Sequence, residues 1–187
     1  MADSNITKRA LATALRELMQ EVPFDKIQVA HICERCDMNR KSFYYHFKDK
    51  YDLVNWIFDT EFITIAKGNA ATAQLDDRWE FIEQACSYFY ENRDFYRKAL
   101  KIKGQNCFTD HFREYCFPLM QARITYLMGD SAVDDFTVSF LSDACLCAIE
   151  RWLLDKNCMS PKELVFKIKQ MVQRGTATIY REIGQTK

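Results

Sequence analysis

Apolar residues recur at three- and four-residue intervals along most of this chain, the spacing of one buried face on an α-helix. Ile6, Ala10, Ala14, Leu15 and Leu18 predict a first helix from about Ile6 to Glu21, with Lys8, Arg9, Arg16 and Glu17 facing elsewhere and Pro23 stopping it. Residues 28–35 read as a short second helix, followed by a tight turn at Cys36-Asp37-Met38. Asn39 is a good cap for a third helix over 40–46, where Met38 can staple onto Phe43. Asp49 can cap a fourth, whose apolar stripe is Leu53, Val54, Ile57, Phe58, Phe62 and Ile65.

The stretch 68–76 is small, polar and aperiodic, and reads as a linker. Asp77 with Glu80 looks like a capping box opening a helix through about Tyr90. Asn92 starts a short helix ending near Gly104, and another covers about 107–128, stopping at Gly129-Asp130. Over 134–156, Phe136, Phe140, Ala144, Ala148 and Trp152 repeat at every fourth position. The last helix has the strongest start signal, with Ser160 as cap, Pro161 in the first turn and Glu163 completing a box. Leu164, Ile168, Met171, Val172, Gly175 and Ile179 trace its apolar face. No strand pattern interrupts this series, so the expected fold is all-α with about nine helices.

Composition narrows the class. The chain has 187 residues, 48% hydrophobic and 28% charged, which fits a folded globular protein and argues against disorder. Five Gly and three Pro offer few turns, favouring long helices. Eight Cys follow no disulfide framework and are expected to be reduced thiols in a cytoplasmic protein. The start MADSNITKRA lacks the pattern of a signal peptide, and no apolar run is long enough to span a bilayer. Net charge is zero, so any attraction for a polyanion must be local. Residues 39–50 supply it, with Arg40, Lys41, Lys48 and Lys50 against Asp49.

A short helix, a tight turn and a second helix, braced by a preceding one, are the parts of a DNA-reading unit. The second helix needs donors on its exposed face and apolar anchors behind. NRKSFYYHF, residues 39–47, meets both demands: Phe43 and Phe47 share one face, while Arg40, Lys41, Ser42, Tyr44, Tyr45 and His46 spread over the rest. Lys48 and Lys50, at the helix exit, are placed for phosphate contact. Charge alone would suit a solvated surface, but adjacent exposed tyrosines gain nothing there.

The segment VAHICERCDMNRKSFYYHFKDKYDLV resembles the signature of the TetR family of regulators. That resemblance covers about residues 6–65. It implies a helix-turn-helix DNA-binding domain over 5–65 and a helical regulatory and dimerisation domain over 66–187. It also implies phosphate or base contacts for Ser42, Tyr44, Tyr45, His46 and Lys50, with Arg40 and Lys41 at the variable positions that set operator sequence. Gln28 stands where the family usually has a capping Thr that meets phosphate, Cys33 and Cys36 replace Ala, and Asp37 replaces the turn Gly. The run NRKSFYYHFKDKYDLVNWIF is also similar to regulators of dihydroxyacetone kinase operons, which can act as activators alongside a partner protein; repression is therefore not assumed.

Other chemistry is weaker. Cys33-x-x-Cys36 near His31 has no second ligand pair, so neither a metal nor a cofactor is expected. His111 and Glu114 are spaced for a proton relay, but surface hydrogen bonding is the plainer reading, and no phosphate loop, nucleophile elbow or HExxH occurs. An enzyme is not expected. The basic helix is too short, and too closely followed by a core-forming helix, to be a membrane-surface element. Residues 79–126 are rich in aromatics, and the polar-tipped candidates for a small-molecule effector pocket, chosen by chemistry, are Tyr88, Tyr96, His111 and Tyr115 with Trp152 further along the chain. The last two helices carry small residues (Ala144, Cys145, Ala148, Gly175) and apolar positions on more than one side, which predicts a homodimer on a pseudo-palindromic duplex.

Overall fold

The computed structural model describes the backbone of residues 2–70, 78–104, 107–128 and 134–185, and the side chains of 4–62, 79–104, 107–126 and 134–175. Within them the regular elements are helical: α1 (Ala2–Glu21), a short 3-10 turn (Phe24–Lys26), α2 (Val29–Arg35), α3 (Arg40–His46), α4 (Lys50–Ala70), α5 (Arg78–Glu91), α6 (Arg93–Ala99), α7 (Phe108–Met128), α8 (Asp135–Leu154) and α9 (Pro161–Gln185). The all-α expectation holds. Of the predicted linker, 68–70 belong to α4, while 71–76 lie outside the described residues, as do the Asp77 cap, the stop at Gly129-Asp130 and the side chains of Ile65 and Ile179.

Two compact units form: residues 1–64 with 92–111, and residues 65–91 with 112–187. The first is built on Leu11, Leu15, Met19, Ile32, Phe43 and Phe58, each at most 1% exposed. Burial on α1 begins at Leu11; Ile6, expected on the inner face, is 64% exposed, because α1 starts at Ala2 and its first turns extend past the packed residues. Arg35 ties α2 to α1 through both Glu21 oxygens at 2.8 and 2.7 Å. Residues 92–111 belong to this unit, although the sequence grouped them with 66–187. Lys98 donates to the Met19 carbonyl, and Tyr96, with 0% exposure, packs on Phe108 at 5.6 Å between ring centres.

In the second unit α5 packs on α8 and α9. Asp134 opens α8 by accepting from the Thr137 N–H at 2.7 Å, and Ser160 opens α9 by accepting from the Glu163 N–H at 3.3 Å. The Trp152 indole is 5% exposed, donates to the Met159 carbonyl at 2.8 Å and stacks on Tyr90. The every-fourth series on α8 is not its core face. Phe136 and Phe140 are 76% and 61% exposed, and the buried face is Val138, Ser142, Cys145, Ile149 and Trp152. Four residues overshoot one helical turn by about 40°, so four such steps swing the series roughly 160° from outside to inside. On α9, Leu164, Ile168 and Val172 are buried while Met171 is 69% exposed, at the edge of that face.

Candidate nucleic-acid interface

The turn before α3 is a complete helix C-cap. Asp37 adopts φ +54°, the Met38 N–H reaches back to the Cys33 carbonyl at 2.8 Å, and the Asp37 N–H reaches Glu34 at 3.4 Å. This paired bonding satisfies the last α2 carbonyls and redirects the chain sharply. Asn39 then starts α3, its side chain accepting from the Ser42 N–H at 2.8 Å.

Phe43 and Phe47 anchor α3 from behind, 0% and 3% exposed, with Phe47 against Trp56 at 5.7 Å. Burying each ring stabilises the docked helix by about 1.5–3 kcal/mol. On the other side Tyr44 and Tyr45 are 57% and 82% exposed. Arg40, Lys41 and Lys48 are exposed, and Ser42 and His46 half-buried. Asp49 ends the excursion by accepting from the Tyr51 and Asp52 N–H groups at 2.8 Å, while Asp52 accepts from the Lys48 N–H at 2.9 Å.

A recess of about 350 Å³ separates the start of α2 from α3, lined in part by Gln28, Ala30, Arg40, Tyr44, Lys50 and Tyr51. It gathers Gln28, Arg40, Tyr44 and Lys50 from the residues named by sequence, and adds Tyr51 and the first α2 backbone, which no side-chain pattern signalled. Gln28 is exposed, and its backbone N–H donates to His31 Nδ1 at 3.2 Å. Lys50 behaves differently from Lys48. Its ammonium donates to the Phe24 and Ile27 carbonyls, and burial lowers its pKa, with Asp25 and Asp49 pulling the other way. Two of its three donors are thus committed within the protein.

The effector candidates divide between the two units. Tyr96 and His111 lie in the first unit, where Tyr96 donates to Glu61 at 2.7 Å and His111 Nε2 meets Asp59 at 2.7 Å. The bond to Asp59 is one that helical spacing to Glu114 could not reveal. Trp152 spends its indole donor on Met159, Tyr115 is 39% exposed, and Tyr88 borders a groove of about 480 Å³ with Glu80, Glu83 and Glu91 that includes none of the other four. Burial raises the thiol pKa of Cys33 and of Cys36, and the Cys36 thiol donates to the Ile32 carbonyl at 3.2 Å. Among the described residues no three His, Cys, Asp or Glu side chains are arranged to hold a metal, and no helix is long and apolar enough to cross a membrane.

Residues 11–57 match the family model for bacterial regulatory proteins of the tetR family. Residues 77–174, over half of the chain, match the model for the transcriptional regulator C-terminal region. The chain belongs to the TetR family of bacterial transcription regulators. A curated relative, the HTH-type dhaKLM operon transcriptional activator DhaS of Lactococcus lactis subsp. lactis (strain IL1403), is 28% identical over 102 residues. The match covers 54% of this chain and about half, 53%, of that relative. Among solved structures, a dihydroxyacetone kinase operon activator DhaS aligns with a TM-score of 0.66 at 20% identity, over 92% of this chain and 97% of the other. A TetR transcriptional regulator from Streptococcus agalactiae 2603V aligns with a TM-score of 0.67 at 20% identity, over 91% and 96%. These two likenesses speak to the fold, which is that of TetR regulators, with a helix-turn-helix followed by a helical C-terminal region.

Proposed function

We propose that this TetR-family chain reads a pseudo-palindromic duplex as a homodimer, each protomer laying α3 in a major groove. The observation that carries this reading is the two-sidedness of α3, with Phe43 and Phe47 buried and Tyr44 and Tyr45 exposed beside Arg40 and Lys41. Arg40 and Lys41, in the first turn, are the base-reading candidates, since an Arg or Lys on a guanine edge discriminates by about 1–3 kcal/mol. Tyr45, Ser42, His46 and Lys48 fix register on the backbone. Gln28 and Tyr44 border the recess and would meet a phosphate there, with Lys50 holding the shape of its wall.

Residues 5–65 supply the DNA-binding part, and the C-terminal region supplies dimerisation and regulation. An effector or co-regulator protein acts by favouring one of two postures of the pair. Similarity to the activator DhaS favours activation as the sign of control.

The test is selection of duplexes from a random-sequence library by the full-length protein, followed by binding titrations. Arg40→Ala should relax preference at one base position, whereas Lys48→Ala should weaken all duplexes alike and flatten the salt dependence by about one unit of slope. Enrichment of no duplex at low salt would end the reading.

A further inference from the structure

We infer that Arg123 and the indole N–H of Trp79 form a buried receptor for the oxyanion of a small effector, a carboxylate or a phosphate; that an effector acts on this protein rests on the reading above.

Both residues belong to the second unit. Phe89 packs on Phe112 at 5.7 Å between ring centres, and Trp79 packs on Arg123, so α5 and α7 run antiparallel with the first turn of α5 beside the later turns of α7. There the Arg123 guanidinium carbon lies 5.1 Å from the centre of the Trp79 ring and 5.5 Å from that of Tyr126. Arg123 is 4% exposed and Trp79 6%.

Burying a guanidinium is expensive, and two apolar side chains would join α5 to α7 at lower cost. The flanking rings attract the charge through their faces, but its N–H groups are best met in plane by oxygen, which carboxylates and phosphates offer in pairs. The Trp79 indole N–H, a donor only, has no acceptor among the described residues, and an unmet buried donor is costly. It sits on the ring that covers Arg123, so one anion with two or more oxygens can take a bond from each. Tyr126 is 47% exposed, which leaves the guanidinium one ring below solvent, and a turn of that side chain admits a ligand. A neutral ligand would gain the indole bond and forgo the charge, so the pair selects anions.

The experiment uses the full-length protein, labelled with nitrogen-15, and reads the indole N–H signals of its three tryptophans by NMR. The probes are inorganic phosphate, acetate and benzoate, with neutral benzamide as control, titrated at fixed ionic strength. The Trp79 signal should move downfield saturably with at least one anion and not with benzamide, while Trp56 and Trp152 stay in place. Saturation by phosphate alone assigns a phosphate effector; saturation by a carboxylate alone assigns an organic acid. Arg123→Lys keeps the charge without the fork, and Trp79→Phe keeps the ring without the donor, the latter read by calorimetry. Each should weaken the anion by about tenfold. The bound anion should also change affinity for a duplex that the wild type selects by about tenfold. No saturable shift with any anion, or undiminished binding in both variants, would overturn the receptor and leave the DNA-binding assignment intact. Saturation without any change in duplex affinity would overturn its effector role. Failure to select a duplex would sink the DNA reading alone, since the anion titration is made without DNA.

Discussion

The ammonium of Lys50 donates to the Phe24 carbonyl at 2.8 Å and stands 4.3 Å from the centre of the same residue's ring. With its second bond to Ile27, it closes the short 3-10 segment between α1 and α2 onto the start of α4. Lys50→Ala should therefore cost about 1–2 kcal/mol of folding stability, the lower part of the range for charged hydrogen bonds because the site is partly solvated. Lys48→Ala should stay within about 0.5 kcal/mol. Urea denaturation of both variants decides the point; equal midpoints would show that Lys50 does not hold the loop. Burial lowers the Lys50 pKa from its ordinary 10.5, so between the two values the native chain binds fewer protons than the unfolded one. Stability from this residue consequently rises as pH climbs from the folded value towards 10.5, and its side-chain NMR signal should titrate before those of the exposed lysines.

Asp37 offers a change in the opposite direction. Its φ of +54° strains an L-residue, with Asp among the more tolerant. Asp37→Gly should remove that strain, lose part of the gain to backbone entropy, and raise stability by about 0.5–1 kcal/mol. Asp37→Val should lower it. A higher midpoint for valine than for glycine would show that the C-cap geometry is misassigned.

The parts legible in the sequence are those fixed by local chemistry. Asn39 and Ser160 cap where their positions predicted, because a side-chain acceptor three residues before an orphan N–H depends on nothing distant. Phe43 and Phe47 point inward and Tyr44 and Tyr45 outward for the same local reason. What resisted was tertiary. Nothing in the periodicity of 92–111 says that Tyr96 seeks Glu61, 35 positions earlier in the chain. The commitment of Lys50 to two loop carbonyls is equally invisible, since an exposed and a tethered lysine look alike in a string of letters. The Phe136 series misled because a spacing of four drifts round a helix whose repeat is 3.6.

Thiol reactivity should divide the eight cysteines. Cys86, Cys116 and Cys145 are buried, and burial pushes their pKa up, to about 12 for Cys86 and about 11 for Cys145. The reacting species is the thiolate, so these three should resist a maleimide at pH 7.5 until the protein unfolds. Cys147 and Cys158 are only half-buried and should label first. Peptide mass spectrometry after brief labelling reports the order, and Cys86 labelling as fast as Cys158 would contradict the packing of α5.

Phe136, Phe140, Phe166 and Met171 leave 58–76% of their surface exposed on α8 and α9, while Phe136 and Phe140 stack on each other at 6.1 Å. Removing one such ring from water yields about 1.5–3 kcal/mol, and a two-fold contact counts every residue twice. A second copy of the chain is the occupant that the palindrome-reading proposal requires. Phe136→Glu with Phe140→Glu should then weaken self-association by at least about 100-fold, or roughly 2.7 kcal/mol. Because both side chains already face solvent, helical content should not change. Sedimentation equilibrium reads the association directly: a variant that dimerises as tightly as the wild type would move the interface elsewhere. The same variant should keep weak, salt-sensitive affinity for a single half-site and lose the added affinity of a full palindrome, because its two reading helices are no longer delivered together.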